Sequence, residues 1–436
     1  MSQPESHSAT DRERVYRRNF YYFTADAILF VVALNIIGTT TVIPDFVRRL
    51  TDSEILIGFS GSMFEIGWTL PQLLVARYIV RFERKKPWFV GPNIPTRFVI
   101  LIFAGLVVLL GEGRPGAILA AFLICYGIAA LGDGVVGVPW ADLTGNSMDN
   151  RWRARMFGLM VAGSGLIMLG VAPLMARILK DWDFPNNYAI LFAMSGTVFV
   201  LSIVPTLFIH ELPGGKAVEK IPALSEFLPD MGRVLQNDRP FRFIVIARMF
   251  TLLFAMASPF YIGFATESLD MSSETAVPTL LAIQTVGSIG GALAFAWIGA
   301  RSNLLFIRLA LCGGALWPIT ALLAGMVGPA PLYFGFLMSG LVISNLGLSY
   351  QNWVVTYSHA DHRPMYVGLF NTLTVIIAFM APVIAGTIVQ SAGYRPLFIV
   401  SLLMALSALF VTLRFIRDIH TDEEEPPELA MTPSVV

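Results

Sequence analysis

Long apolar segments recur along nearly the whole chain, and they constrain the fold more than any other feature. An α-helix rises 1.5 Å per residue, so crossing roughly 30 Å of hydrocarbon takes about 20 residues. Twelve segments of this length lie near residues 20–43, 54–79, 89–111, 116–139, 156–179, 187–209, 242–265, 275–299, 304–327, 331–354, 366–389 and 395–417. The sequence therefore predicts an all-α polytopic membrane protein with twelve transmembrane helices, and the lipid bilayer is its first predicted partner.

Composition agrees with this prediction. The chain is 55% hydrophobic and 14% charged, whereas a soluble domain carries about 25% charged residues. Its formal net charge is zero, which gives no indication of nucleic acid as a partner. Cys125 and Cys312 lie within apolar segments, so we expect packed thiols rather than a disulfide or a metal pair. Residues 1–18 are polar and precede no short apolar h-region, so we expect no cleaved signal peptide.

Basic residues set the expected orientation. Most of the 30 lysines and arginines fall in one set of alternate loops, together with both ends of the chain. The positive-inside rule places that side in the cytoplasm. The sequence therefore predicts a multi-pass protein of the cell membrane with both termini cytoplasmic.

The longest loop divides the chain into two halves. We predict a cytoplasmic tail at 1–18, an N-terminal six-helix bundle at 19–209, a cytoplasmic linker at 210–241, a C-terminal bundle at 242–418 and a disordered tail at 419–436. Apolar residues recur at helical spacing in the linker, which favours a helix lying on the membrane face. A regulatory docking site is the alternative interpretation of the same segment.

An internal repeat relates the two halves. At an offset of 220 residues, Gly67 aligns with Gly287, and Arg81 aligns with Arg301. Near an offset of 210, the stretch "RARMFGLM" (153–160) aligns with "RPMYVGLF" (363–370). Because these matches fall at equivalent helix and loop positions, the repeat indicates two related six-helix bundles.

The chain resembles the major facilitator superfamily in three features taken together: six plus six segments, a long central cytoplasmic loop, and basic loops after the second and eighth segments. The resemblance covers about residues 18–418. It implies two pseudo-symmetric bundles around a central cavity, a substrate near the midplane and alternating access by rocking of the halves. Arg81 stands where the family's loop after the second segment has an acidic residue, so the gating role of that acid is not carried over.

The subfamily is not assigned. The stretch "VPWADL" (138–143) and an aspartate early in the first segment are similar to the sugar-cation symporter branch. That branch has paired aspartates in its second segment, where this chain has only Glu65.

Ionisable side chains inside a bilayer indicate function, because an unpaired charge there costs several kcal/mol. Glu65 lies near the midplane and is our first candidate for proton coupling, followed by Asp133 and Asp26. Asp26, Asp133 and Arg248 lie at similar depth, so they equally fit an ion-pair layer across the halves. The predicted gate or ion-pair residues are Asp26, Asp133, Arg248, Arg153 and Arg363.

The faces of the first predicted helix separate its polar residues. Asp26 and Asn35 are nine residues apart, which puts them about 180° apart on an ideal helix. Asn35 shares its face with Thr39, so that face is expected to line the pathway. Asp26 then points towards neighbouring helices, where we expect Arg248 or Arg153 to meet it.

Other polar side chains form stripes that a water-filled cavity needs. The substrate-cavity candidates are Asn35, Thr39, Trp68, Thr69, Gln72, Tyr126, Thr251, Gln284, Asn345, Asn352 and Asn371. For the amides, hydrogen bonding between packed helices is an equally weighted alternative.

These features favour a secondary active transporter that moves a small solute by alternating access and couples to protons. The alternatives are a facilitative carrier or lipid flippase with structural charges, and a non-transporting membrane enzyme or scaffold. The chain has no P-loop, Rossmann glycine pattern or nucleophile elbow, so we predict no enzyme activity and no cofactor. The histidines of "SHADHR" (358–363) lack further ligands nearby, and we expect no metal site. We expect a monomer, while the substrate, the direction of transport and the coupling ion stay open.

Overall fold

The computed structural model describes residues 9–79, 81–148, 150–212, 234–299, 301–358 and 363–417, and its regular elements there are helical. The N-terminal half contains α1 (Ala9–Ile37), α2 (Val42–Arg48), α3 (Glu54–Thr69), α4 (Gln72–Ile79), α5 (Lys86–Leu110), α6 (Pro115–Ser147), α7 (Asn150–Asp181) and α8 (Asn186–Leu207). The C-terminal half contains α9 (Arg239–Ala255), α10 (Phe260–Glu267), α11 (Ser273–Ala294), α12 (Asn303–Val327), α13 (Ala330–Tyr357), α14 (Arg363–Ala392) and α15 (Tyr394–Phe415). Most of the predicted linker and of the two predicted tails lies outside the described residues.

Eleven helical spans in the described residues are long and apolar enough to cross a membrane. They coincide with eleven of the twelve predicted segments, and the all-α polytopic fold is confirmed. The remaining segment, 54–79, forms α3 and α4, which a turn at Leu70 and Pro71 separates. Proline lacks the amide hydrogen that a continuous helix needs, so it breaks the segment here. Neither piece is long enough alone, and the count of twelve stays a prediction at this position.

The first and seventh predicted segments are also interrupted. In the first, α1 ends at Ile37, and Gly38 adopts a positive φ of 56° before α2 continues the span. In the seventh, a turn over residues 256–259 separates α9 from α10. The two halves therefore share an irregularity as well as their helices.

Helix packing follows one scheme in both halves. In the N-terminal half, α1 packs against α7 and α8, and α6 packs against α3 and α5. In the C-terminal half, the equivalent helix α9 packs against α14 and α15, and α13 packs against α11 and α12. Gly67 faces Ala130 where α3 meets α6, and Gly287 faces Leu337 where α11 meets α13. A side chain on either glycine would overlap the facing helix. The repeat in the sequence thus marks equivalent close contacts between helices.

The halves meet mainly at one end. We call the end where α8 stops and α9 starts the linker end, and the opposite end the far end. One hydrophobic core at the far end contains residues from both halves, whereas the linker end has a separate core in each half. The contacts between halves run through α3 against α14 and α7 against α11. At the far end Gly58 allows close approach of Phe260, and Gly386 allows close approach of Ile55.

Candidate functional site

A cavity of about 420 Å³ lies between the two halves. Residues of α3 and α4 line one wall, and residues of α9, α13 and α14 line the other. The lining includes Phe254 of the far-end core, and Leu346 and Phe370 of the C-terminal core at the linker end. The cavity therefore lies beside the far-end core and extends towards the linker end.

Glu65 and Arg248 are the charged side chains of this lining, one from each half. Arg248 Nη2 lies 3.7 Å from Glu65 Oε1. The Glu65 side chain is 58% exposed and that of Arg248 is 17% exposed. The pair is therefore open to the cavity, and water screens its attraction. Opposite charges at this separation can each contact one end of a small solute.

Arg248 is held by an aromatic face. Its guanidinium lies 5.7 Å from the centre of the Tyr350 ring. The Tyr350 and Thr251 hydroxyls are 2.9 Å apart, and Thr251 donates to the carbonyl of Ala247. Because Thr251 uses its proton on Ala247, Tyr350 is the donor to Thr251. This chain of hydrogen bonds fixes the ring beside the guanidinium.

Neutral polar groups complete the lining. The side chains of Gln72, Gln351 and Asn371 make no hydrogen bond to other described residues. In contrast, Thr69 and Thr374 donate to carbonyls of their own helices at 2.8 Å. The three amides are therefore neutral lining groups that are available to donate to and accept from a solute.

Trp68 adds an aromatic surface to the lining. It stacks on Phe64, with 6.1 Å between ring centres and 25° between planes. A flat apolar surface beside amides and an ion pair suits a solute with both apolar and polar faces.

A second charged cluster lies inside the N-terminal half, away from this lining. Arg97 on α5 and Asp133 on α6 form an ion pair, with 3.4 Å between Nη2 and Oδ1. Asp26 on α1 lies within electrostatic range of both and beside the hydroxyl of Ser202. All three charged side chains are buried. Asp26 Oδ1 has no hydrogen-bond partner among the described residues.

Arg97 is enclosed on its other sides. Its Nε donates to Asn93 Oδ1 at 2.8 Å. Its guanidinium lies 4.4 Å from the centre of the Phe30 ring and 4.8 Å from that of Phe199. The cluster thus places two carboxylates and one guanidinium in an apolar surrounding.

The partner of Asp26 differs from the sequence-based expectation. We expected Arg248 or Arg153, but Arg97 is the cation near Asp26, and Arg248 pairs with Glu65. An ion-pair layer across the halves is one of two open interpretations of Asp26, Asp133 and Arg248. Of these three, only Arg248 pairs across the halves in the described residues, and its partner is Glu65. A helix face gives the direction of a side chain but not which neighbouring helix it meets, and this explains the error.

Arg97 was missed although it is visible in the sequence. It lies eight residues inside the predicted segment 89–111, where an ionisable side chain indicates function as Arg248 does. Asn93 precedes it by four residues, on the same helix face. An arginine and an amide at this spacing were the available signal.

The cavity brings together part of the predicted set. Seven predicted residues line it: Glu65, Trp68, Thr69, Gln72, Arg248, Thr251 and Asn371. Nine predicted residues with described side chains do not line it: Asp26, Asn35, Thr39, Tyr126, Asp133, Arg153, Gln284, Asn345 and Asn352.

The positions of the excluded residues explain their absence from the lining. Gln284 on α11 donates to Ser339 on α13 at 3.2 Å, which matches the alternative of bonding between packed helices. Tyr126 is buried and stacks on Phe122 in the N-terminal core. Arg153 lies on α7 within reach of Gly145. The side chain of Arg363 lies outside the part of the chain that the structure describes.

Ionic contacts join the halves at the far end. Arg48 Nη1 lies 2.7 Å from Glu54 Oε1 in its own half and 2.7 Å from Glu267 Oε1 in the other half. Glu267 also accepts a hydrogen bond from Tyr394 at 2.8 Å. Nearby, Asp45 accepts from Ser273 of the other half at 3.0 Å. These contacts hold the far end closed.

Comparisons with known proteins agree with this architecture. The family model described as Major Facilitator Superfamily matches residues 306–435. Comparison with curated protein sequences gave no match.

Solved structures of transporters share the fold at low sequence identity. The nucleoside transporter NupG is 13% identical, with a TM-score of 0.68, and the alignment covers 91% of this chain and 100% of NupG. The human organic anion transporter MFSD10 is 14% identical, with a TM-score of 0.63 and coverage of 94% and 100%. The E. coli fucose:proton symporter FucP is 14% identical, with a TM-score of 0.61 and coverage of 93% and 100%.

Proposed function

We propose that the chain is a multi-pass membrane transporter of the major facilitator superfamily and that it moves a small solute by proton-coupled alternating access. The observation that carries the proposal is the Glu65–Arg248 pair, which spans the cavity from one half to the other. A solute that contacts both side chains contacts both moving bodies. Its binding can therefore favour one arrangement of the halves over another.

The asymmetry between the two ends supports alternating access. The halves share one core and several polar contacts at the far end, and have separate cores at the linker end. If the linker end is cytoplasmic, as the basic residues predict, this arrangement faces inward. Transport then requires the far-end contacts to open while the linker end closes.

The lining supports a small solute that is polar and carries no large net charge. One carboxylate and one guanidinium cancel in charge, and the amides of Gln72, Gln351 and Asn371 offer both donors and acceptors. The related structures carry nucleosides, an organic anion, and fucose with protons, according to their names. All are small organic solutes.

We assign the exchangeable proton first to the Asp26–Asp133 pair and give Glu65 to solute binding. Two buried carboxylates beside one guanidinium leave one negative charge without a counter-charge, and a proton removes it. Glu65 is exposed to the cavity and has Arg248 as its counter-charge. This order reverses the one that the sequence suggested, in which Glu65 came first.

Transport by reconstituted variants separates these roles. A solute is first identified by thermal stabilisation across a solute library, and its uptake into sealed vesicles is then measured. Asp26→Asn is expected to abolish accumulation driven by a proton gradient but to retain exchange of labelled for unlabelled solute. Glu65→Gln is expected to lose both, because it weakens solute binding. Accumulation by Asp26→Asn at the wild-type level would contradict the proton assignment, and flux insensitive to the gradient in the wild type would favour a facilitative carrier.

A further inference from the structure

Two corners at the linker end repeat one construction. In the N-terminal half, Tyr22 of α1 stacks on Phe208 just beyond α8, with 5.7 Å between ring centres and 26° between planes. In the C-terminal half, Phe243 of α9 stacks on Phe415 at the end of α15, with 4.2 Å and 7°. Each stack joins the first helix of its half to the last.

A cation from a third helix completes each corner. Lys86 Nζ donates to the carbonyls of Leu207 and Ile209 at 2.7 and 2.8 Å. Arg308 Nη2 donates to the carbonyls of Thr412 and Ile416 at 2.7 and 2.8 Å. Both satisfy carbonyls at the end of the last helix, where the helix dipole favours a cation.

The C-terminal corner carries additional arginines. Arg239 and Arg242 lie 5.7 and 5.8 Å from the centre of the Phe243 ring, and Arg414 lies 5.7 Å from that of Phe415. Arg242 donates to the carbonyls of Leu235 and Gln236, just before its helix. Within the described ranges none of the three pairs with a carboxylate. Three guanidinium groups therefore surround one aromatic stack without a counter-charge from those residues.

The N-terminal corner is different. Arg18 lies 5.8 Å from the Tyr22 ring and donates to the Phe208 carbonyl at 3.2 Å. The carboxylate of Glu211 also lies at this corner, where it accepts from the backbone amides of Lys85 and Lys86. The excess of positive charge is therefore a property of the C-terminal corner, although both corners share the aromatic stack and the capping cation.

The C-terminal corner lies where apolar helix meets polar chain. One membrane span begins at Arg239 and another ends at Phe415. On α15, Leu406, Phe410 and Leu413 form an exposed stripe at helical spacing that leads away from Arg414. A ligand with an anionic head and apolar chains fits both features together.

We propose that Arg239, Arg242 and Arg414 bind the phosphate of an anionic glycerophospholipid in the leaflet at the linker end, with its acyl chains along α15. Guanidinium groups bind phosphate oxygens through charge-assisted hydrogen bonds. Basic clusters beside membrane helices attract anionic lipid head groups. The proposal is independent of the transported solute and of proton coupling.

The test uses the full chain in detergent micelles, with lipid binding measured by native mass spectrometry and by the midpoint of thermal unfolding. Phosphatidylglycerol is expected to bind and to raise the midpoint more than phosphatidylcholine does. Each arginine near the surface contributes about fivefold in affinity, so Arg239→Gln with Arg414→Gln is expected to weaken phosphatidylglycerol binding about 25-fold. This double variant leaves the hydrogen bonds of Arg242 in place. Its lipid binding is interpreted only if its unfolding midpoint without added lipid matches that of the wild type. Otherwise Arg414→Gln alone is used, with an expected loss of about fivefold in affinity.

The matched control replaces two exposed arginines at the far end, Arg114→Gln with Arg395→Gln, and is expected to bind phosphatidylglycerol as the wild type does. Glycerol 3-phosphate supplies the phosphate without the chains and is expected to bind far more weakly. Equal phosphatidylglycerol binding by the double variant and the wild type would overturn the proposal. Binding of glycerol 3-phosphate as strong as that of the lipid would also overturn it, since the site would then be one for soluble anions.

Discussion

Glu65 on α3 and Arg248 on α9 face each other across the central cavity, with 3.7 Å between Oε1 and Nη2. The contact joins the two halves at the cavity, on the side towards α9 and α3. It is too long and too exposed to hold the halves together by itself. Its arrangement suits recognition of a solute better than stability.

Neutralising either member of this pair is expected to weaken solute binding. Glu65→Gln and Arg248→Gln each remove one charge-assisted contact, so we expect affinity to fall about 10- to 100-fold while the unfolding midpoint stays close to that of the wild type. Isothermal titration with a solute from the library screen measures this. Glu112→Gln, an exposed carboxylate between α5 and α6, serves as the control. Wild-type affinity in both variants would remove the pair from the binding site.

Loss of Arg97 is expected to destabilise the fold strongly. Arg97→Gln leaves two buried carboxylates without a cation, which costs about 3–5 kcal/mol for a broken buried pair. Arg97→Gln with Asp133→Asn removes one of those charges and is expected to recover part of the loss. Unfolding midpoints in detergent compare the two with Arg114→Gln, an exposed arginine. A midpoint of Arg97→Gln equal to that of the control would mean that the cluster is not a paired site.

Weakening the far-end contacts is expected to favour opening at that end. Glu267→Gln removes the charge that links Arg48 to the other half. Because Glu267 is half-exposed, we expect the open population to rise only about two- to fivefold. The open population is measured with Thr69→Cys in a chain that also carries Cys125→Ala and Cys312→Ala. The rate at which an impermeant maleimide labels this cysteine from the far side is compared with and without Glu267→Gln. Glu274→Gln, an exposed carboxylate seven residues further on, should leave the labelling rate unchanged; an equal rise there would point to a general charge effect.

Asp238 is expected to stabilise the linker end of the C-terminal half. Its carboxylate accepts from the amide of Phe241 at 2.9 Å and from the hydroxyls of Tyr357 and Tyr366 at 2.8 and 2.7 Å. Asp238→Ala loses the helix cap and leaves both hydroxyls without their acceptor, so we expect a loss of about 2 kcal/mol or more. Asp238→Asn keeps a capping oxygen and should lose less. Equal unfolding midpoints for the two variants would show that the cap contributes nothing.

Hydropathy was sufficient for the fold because each membrane helix must satisfy its own backbone hydrogen bonds and carry an apolar surface. Both requirements are local, so eleven spans agree with the sequence. The break at Pro71 is also local. The internal repeat indicated the contacts of Gly67 and Gly287, because close packing of equivalent helices requires a glycine at the equivalent position of each half.

The site was predictable only in part. Glu65, Trp68, Thr69 and Gln72 share one helix face, and the cavity contains all four. The pairing of Glu65 with Arg248 joins residues from different halves, and no spacing in the sequence encodes it. The same reason applies to Asp26, whose partner Arg97 lies on a helix that follows it by two membrane segments.

Proton movement driven by a solute gradient is the direct test of proton-coupled transport. The protein is reconstituted in sealed vesicles containing a pH-sensitive dye, and a gradient of the identified solute is imposed without a pH gradient. We expect that solute flux moves protons, that Asp26→Asn abolishes the proton signal, and that solute exchange persists in this variant. Solute flux in the wild type without any proton movement would rule out proton coupling.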